Sequence, residues 1–142
     1  MKRIFQSTVS FILAFIFIFA LVSCNTTEKT ALWEKATYQE DREFGSGTKT
    51  VVVQVKAEEK QVTFTIKTDK DTVGAALMEY NLLAGEEGQF GLYVKVVNGM
   101  TADFDVDQTY WAFYTNGDYA LAGVDSTQIQ EGVIYQLVHT KG

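Results

Sequence analysis

The side chains able to do chemistry are few, and each lacks a partner. Asp103, Asp105 and Asp107 alternate with Phe104 and Val106, which looks like the opening of a calcium-binding loop. Such a loop needs glycine at its sixth position and a bidentate glutamate at its twelfth. Gln108 and Tyr114 stand there instead. The alternation predicts three solvated carboxylates, with Phe104 and Val106 turned inward; a weak surface cation site is the other reading. His139 is the only histidine. It lies on a segment of strand periodicity with no Gly-x-Ser-x-Gly or similar nucleophile motif to serve as its partner. Glu79 and the pair Glu86-Glu87 read as helix surface rather than as an acid and a base. No phosphate-cradling glycine loop and no set of metal ligands at metal spacing is present, so neither an enzyme nor a metal site is predicted.

The densest cluster is aromatic. In Tyr110-Trp111-Ala112-Phe113-Tyr114, alternation puts Trp111 and Phe113 on one face of a strand and Tyr110, Ala112 and Tyr114 on the other. An antiparallel sheet needs only one apolar face, so one of the two sets has to find another partner. Core packing under a covering helix is one outcome. A platform for a flat ligand or a partner surface is the other.

Cys24 is the only cysteine, and its setting is specific. Lys2 and Arg3 give a positive start, an apolar run follows from Phe11 to Val22, and Ser23 precedes the thiol. A segment this short and free of charge reads as a signal sequence rather than a folded element. An uncleaved anchor or an ordinary secretory signal with a chance cysteine are the other readings. Leu21-Val22-Ser23-Cys24 resembles the lipobox of bacterial lipoproteins. That resemblance implies cleavage after Ser23 and acyl chains on Cys24. Two or more chains hold a protein stably at a bilayer surface where one does not. The expected location is the extracytoplasmic face of a cell membrane, lipid-anchored.

With residues 1–23 removed, about 119 residues remain, enough for one domain. Ten basic residues then face eighteen acidic ones, a net charge near −8. Nucleic acid is a poor partner for such a surface. Residues 24–48 read as a polar tether, with Trp33 and Tyr38 as its exceptions. At full extension its twenty-odd residues would reach roughly 70 to 80 Å.

Residues 49–142 read as the folded domain. Val51, Val53 and Val55, then Val62, Phe64 and Ile66, alternate about a charged turn and predict an antiparallel hairpin. Asp71 or Thr72 caps a helix whose face is Val73, Ala76, Leu77 and Tyr80, running to about Leu83 with Gly85 beyond it. Further strands are predicted at Leu92–Val97, Tyr110–Tyr114 and Val133–Val138. Asn98-Gly99 and Asn116-Gly117 are hairpin turns. The expected fold is α+β and β-grasp-like, with one helix across a mostly antiparallel sheet of about five strands.

Three strings carry a resemblance: Tyr110 to Tyr114, Tyr119 to Asp125, and Glu131 to Val138. With the Thr-Val-Gly-x-Ala-Leu start at Thr72 to Leu77 and the Val97-Asn98-Gly99 turn, they resemble the C-terminal β-domain of transcobalamin and intrinsic factor. Stand-alone domains of bacterial lipoproteins are similar. The resemblance covers roughly residues 50–138. It implies a non-catalytic domain with cobalamin or another corrinoid as ligand, contacted at the positions of Trp111, Ala112 and Phe113. The carriers hold cobalamin between this domain and a helical barrel that this chain lacks, so a partner would supply the other face. The rival expectation is a module that docks a cell-surface protein with no small-molecule ligand.

Overall fold

The computed structural model describes residues 31–142; the expected signal sequence, Cys24 and the first residues of the expected tether lie outside them. A 3-10 turn at Leu32–Lys35 opens the described chain. It is followed by β1 (Arg42–Gly45), β2 (Lys49–Ala57), β3 (Lys60–Thr68), α1 (Val73–Glu79), β4 (Leu83–Gly88), β5 (Gly91–Val97) and β6 (Met100–Thr101). A four-residue helix α2 (Phe104–Asp107), β7 (Thr109–Thr115), β8 (Asp118–Tyr119) and β9 (Ile134–Lys141) complete it.

The fold is α+β, as expected, but the sheet is not a single one of about five strands. Six strands form one sheet in the order β1-β3-β2-β9-β7-β8, and β4-β5-β6 form a second. Two pairings, β1 with β3 and β2 with β9, are parallel. Period-two patterning cannot reveal this, since it marks faces and not strand direction. The second sheet escaped because β4 is Leu-Ala-Gly-Glu-Glu-Gly, almost wholly exposed and poor in β-branched residues. Glu86 and Glu87 therefore lie on a strand, not on a helix.

One face of the large sheet carries the core. Val51, Val53 and Val55 of β2, Val62, Phe64 and Ile66 of β3, and Tyr135 and Leu137 of β9 are buried there. Val73, Ala76 and Leu77 of α1 seal it. The Thr72 hydroxyl caps α1 by accepting from the Ala75 N–H at 3.3 Å. The helix ends at Glu79, short of Leu83, because Asn81 turns left-handed at φ 55°. Gly74 explains the Thr-Val-Gly start. Its N–H donates to the Val124 carbonyl at 2.8 Å, and a β-carbon there would sit 3.0 Å from the Val124 and Asp125 backbone.

From Ala31 to Thr48 the chain does not hang free as the tether reading had it. Trp33 is buried in the core, and Leu32, Ala36, Tyr38 and Phe44 pack against it. The edges of Tyr38 and Phe44 meet Phe64 at 6.0 and 5.8 Å. The polar composition hides this docking, because a few apolar side chains, Trp33, Tyr38 and Phe44 among them, are enough to seat the segment.

Candidate functional site

Strand β7 resolves the face question left open by alternation. Trp111, Ala112 and Phe113 are all buried, at 6%, 1% and 8% exposure. Trp111 and Phe113 point to the core side. Phe113 stacks on Tyr135, with centroids 6.1 Å apart, and Trp111 meets His139 edge-on at 5.3 Å. Neither ring offers a free face to a flat ligand, so the platform reading of these residues gives way to a structural one. Tyr110 and Tyr114 lie on the opposite, open face of the sheet, where Tyr114 packs on the exposed Tyr119 at 5.3 Å.

Two of the most exposed apolar side chains lie on two other loops. Phe90 stands at the tip of the β4–β5 hairpin, 96% exposed, and Leu121 lies past β8, fully exposed. Asp125 ties these loops together. Its carboxylate accepts the Leu92 N–H at 3.2 Å and lies against Gly91. A β-carbon at Gly91 would come within 2.9 Å of that carboxylate and one at Gly123 within 2.8 Å. Gly91 also has φ 102°, which L side chains rarely adopt. Sequence reasoning quoted Leu121 and Asp125 only as part of the family string and passed over Phe90. Exposure of a large apolar residue was the missing signal, and it needs coordinates.

A second concavity, of about 570 Å³, opens between the 3-10 turn, α2 and the ends of β7 and β9. His139, Glu58, Asp103, Asp107, Lys35 and Lys141 line it. Burial lowers the His139 pKa, against the opposing pull of Asp107 and Glu58, so the ring is mainly neutral near pH 7. Thr101 and Thr109 are the hydroxyls that line it, and Thr109 donates to Asp107, which helps hold that carboxyl below the usual range. That bond turns the Thr109 hydroxyl to Asp107 rather than to His139. The Trp111 indole N–H finds no acceptor among the described residues. No group of three acidic, histidine or cysteine side chains converges on a metal-sized site among the described residues.

The carboxylate triplet also departs from its expected geometry. Asp103 to Asp107 is not extended: it forms α2, capped by the Asp103 carboxylate. Phe104 and Val106 are 50% and 81% exposed rather than turned inward.

Comparison with known proteins agrees with this architecture. Residues 70–133 match the family model described as a domain of unknown function, DUF4430. A crystal structure of a candidate metal binding protein from Ruminococcus gnavus superposes with a TM-score of 0.63 at 29% identity, covering 67% of this chain and 99% of that one. Haptocorrin in complex with Cbi superposes with a TM-score of 0.57 at 20% identity, covering 69% of this chain and 26% of haptocorrin. No curated protein matches the sequence. The chain resembles a transcobalamin-like β-domain, as its motif strings implied. It spans about a quarter of haptocorrin's length, so this likeness is one of fold.

Proposed function

We propose that this chain is a non-catalytic ligand-binding domain, lipid-anchored through Cys24 at the extracytoplasmic face of a membrane. Its ligand would be a corrinoid, the face of whose ring is received by Phe90, Leu121 and Tyr119. One observation carries the reading: Phe90 and Leu121 are essentially bare, yet their two loops are fastened to each other by Asp125. A held backbone lowers the ordering cost of binding at such side chains. Trp111, Ala112 and Phe113 act from beneath by fixing β7, whose Phe113 carbonyl accepts the Ala120 N–H beside Leu121 at 2.9 Å. Support for a corrinoid comes from haptocorrin, which shares the fold and was crystallised with Cbi.

A single domain covers only one side of such a ligand, so a second protein would complete the site. Absorbance titration with cobalamin and with cobinamide tests this. A perturbed corrin band, lost in a Phe90→Ser, Leu121→Ser double variant that melts like wild type, is the expected result. Unperturbed bands at millimolar corrinoid would remove the corrinoid and leave the patch as a protein-docking surface.

A further inference from the structure

We infer that the end of the domain bearing the 3-10 turn and α2 rests on the bilayer, with Phe104 and Val106 as the side chains that meet lipid. This rests on the lipid-anchor reading of Cys24 and goes beyond it by assigning a second membrane contact and an orientation. Because the chain is packed from Leu32 onward, only the seven residues 25–31 separate Cys24 from the packed domain. Their greatest reach is roughly 25 Å, a third of what a tether to residue 48 would give. A domain of this size is itself about 30 Å or more across. The end at which the chain enters therefore stays nearest the lipid.

That end is defined by contacts. Ala31, Leu32 and Val106 line one concavity, so α2 sits beside the entry point. Glu58 holds the entry by accepting the Leu32 and Trp33 N–H groups at 2.9 and 3.0 Å. β5 gives the direction. Its Val97 end leads into Asn98-Gly99, which packs against Lys35 and Thr37, whereas its Gly91 end adjoins Asp125 and Phe90. Seven residues of strand put these ends roughly 20 Å apart. Anchor and ligand loops thus occupy opposite ends of β5.

The occupant fits the surface. Phe104 and Val106 are held out by a helical turn, and folding leaves half of one and most of the other in water. Two apolar side chains are too few to bind a membrane by themselves. A lipid anchor supplies the high local concentration at which a weak second contact sets orientation. Asp105 forms no ion pair among the described residues, while Asp103 pairs with Lys95 at 3.5 Å. The carboxylates favour a zwitterionic lipid surface over an anionic one.

The test uses the full lipidated chain in phosphatidylcholine vesicles. An environment-sensitive fluorophore is placed at Asp105→Cys or at Ala122→Cys, both exposed, with Cys24 blocked by its own lipid. Quencher lipids labelled roughly 5 to 10 Å below the headgroups should strongly quench the label at position 105 and leave that at 122 nearly unaffected. Adding Phe104→Ser and Val106→Ser should then relieve most of the quenching at 105. Equal quenching at the two positions, or stronger quenching at 122, overturns the orientation. Quenching at 105 that survives the double serine change overturns the role of Phe104 and Val106. Intact-mass measurement separates the two readings: a chain without lipid on Cys24 removes the anchor, and the orientation with it.

Discussion

Asn98 clasps the backbone of Tyr38 as a neighbouring strand would. The Tyr38 N–H donates to the Asn98 side-chain oxygen at 2.9 Å, and the Asn98 amide donates to the Tyr38 carbonyl at 2.7 Å. The residues are sixty positions apart in the chain. Asn98 is fully buried and holds φ 50°, a conformation asparagine tolerates better than most residues. Its own carbonyl accepts the Thr37 N–H at 2.8 Å. The turn that closes β5 and β6 is therefore also the buckle that keeps residues 31–38 on the domain.

Asn98→Gly keeps the left-handed turn and removes the clasp, so it should cost about 1 to 3 kcal/mol, the worth of two partly buried hydrogen bonds. Asn98→Ala should cost about 1 kcal/mol more, because alanine resists positive φ. Urea denaturation of both variants measures the two contributions separately. Equal stability of Asn98→Gly and wild type would show that the clasp holds nothing.

Strand β7 shows how far the sequence could be read. Its alternation was legible: Trp111 and Phe113 do share one face, with Tyr110, Ala112 and Tyr114 on the other. Which face is inside was not legible, because aromatic residues occupy both and only the neighbouring strands decide. The order β2-β9-β7 places Val53, Tyr135 and Thr115 on one face, and that face is the core. Trp111→Ala and Phe113→Ala should each lose about 3 to 5 kcal/mol. Tyr114→Ala, on the open face, should lose about 1 kcal/mol. Thermal melts that rank the three the other way would reverse the assignment.

The Asn-Gly turns, the β2–β3 hairpin and the start of α1 were equally legible, since each depends on local residue types. β4 was not, nor was the docking of residues 31–48. β4 is hidden by its glycines and glutamates, which carry no strand periodicity although its partner β5 is the next strand, and the entry segment is held by the distant Asn98 and Glu58. The Phe90 and Leu121 patch was hidden for a related reason, because exposure is a property of the assembled fold.

Gly74→Ala sets two effects against each other. In a helix interior alanine is better than glycine by up to about 1 kcal/mol. Here the added methyl meets the Val124 carbonyl and the Asp125 nitrogen at 3.0 Å, backbone atoms that cannot swing aside. Overpacking of about 1 to 3 kcal/mol should win. The variant should melt lower than wild type, and its Leu92 and Gly123 amide signals should shift as the Asp125 loop is displaced. A higher melting point would mean that this loop yields freely.

Glu58 makes the packing of the entry segment acid-sensitive. It sits in the β2–β3 turn at φ 50°, followed by Glu59 at φ 65°, and reaches back to the 3-10 turn. The N–H groups of Trp33 and Leu32 hold its carboxyl below the ordinary 4.5. A depressed carboxylate stabilises the fold above its unfolded pKa, and that contribution is lost as the pH falls through the folded value. Acidification below about 4.5 should therefore loosen the segment and wet the Trp33 ring. In a Trp111→Phe background, Trp33 fluorescence should shift to the red across this window. Glu58→Gln keeps an oxygen acceptor but cannot titrate there, so it should bind the segment more weakly at pH 7 and show no such step. Asp69, Asp71 and Asp107 are depressed as well and respond in both proteins, and repeating the comparison in a His139→Gln background removes the histidine coupled to Glu58, so the difference between the two curves then isolates Glu58. Identical curves would show that Glu58 does not hold the entry segment.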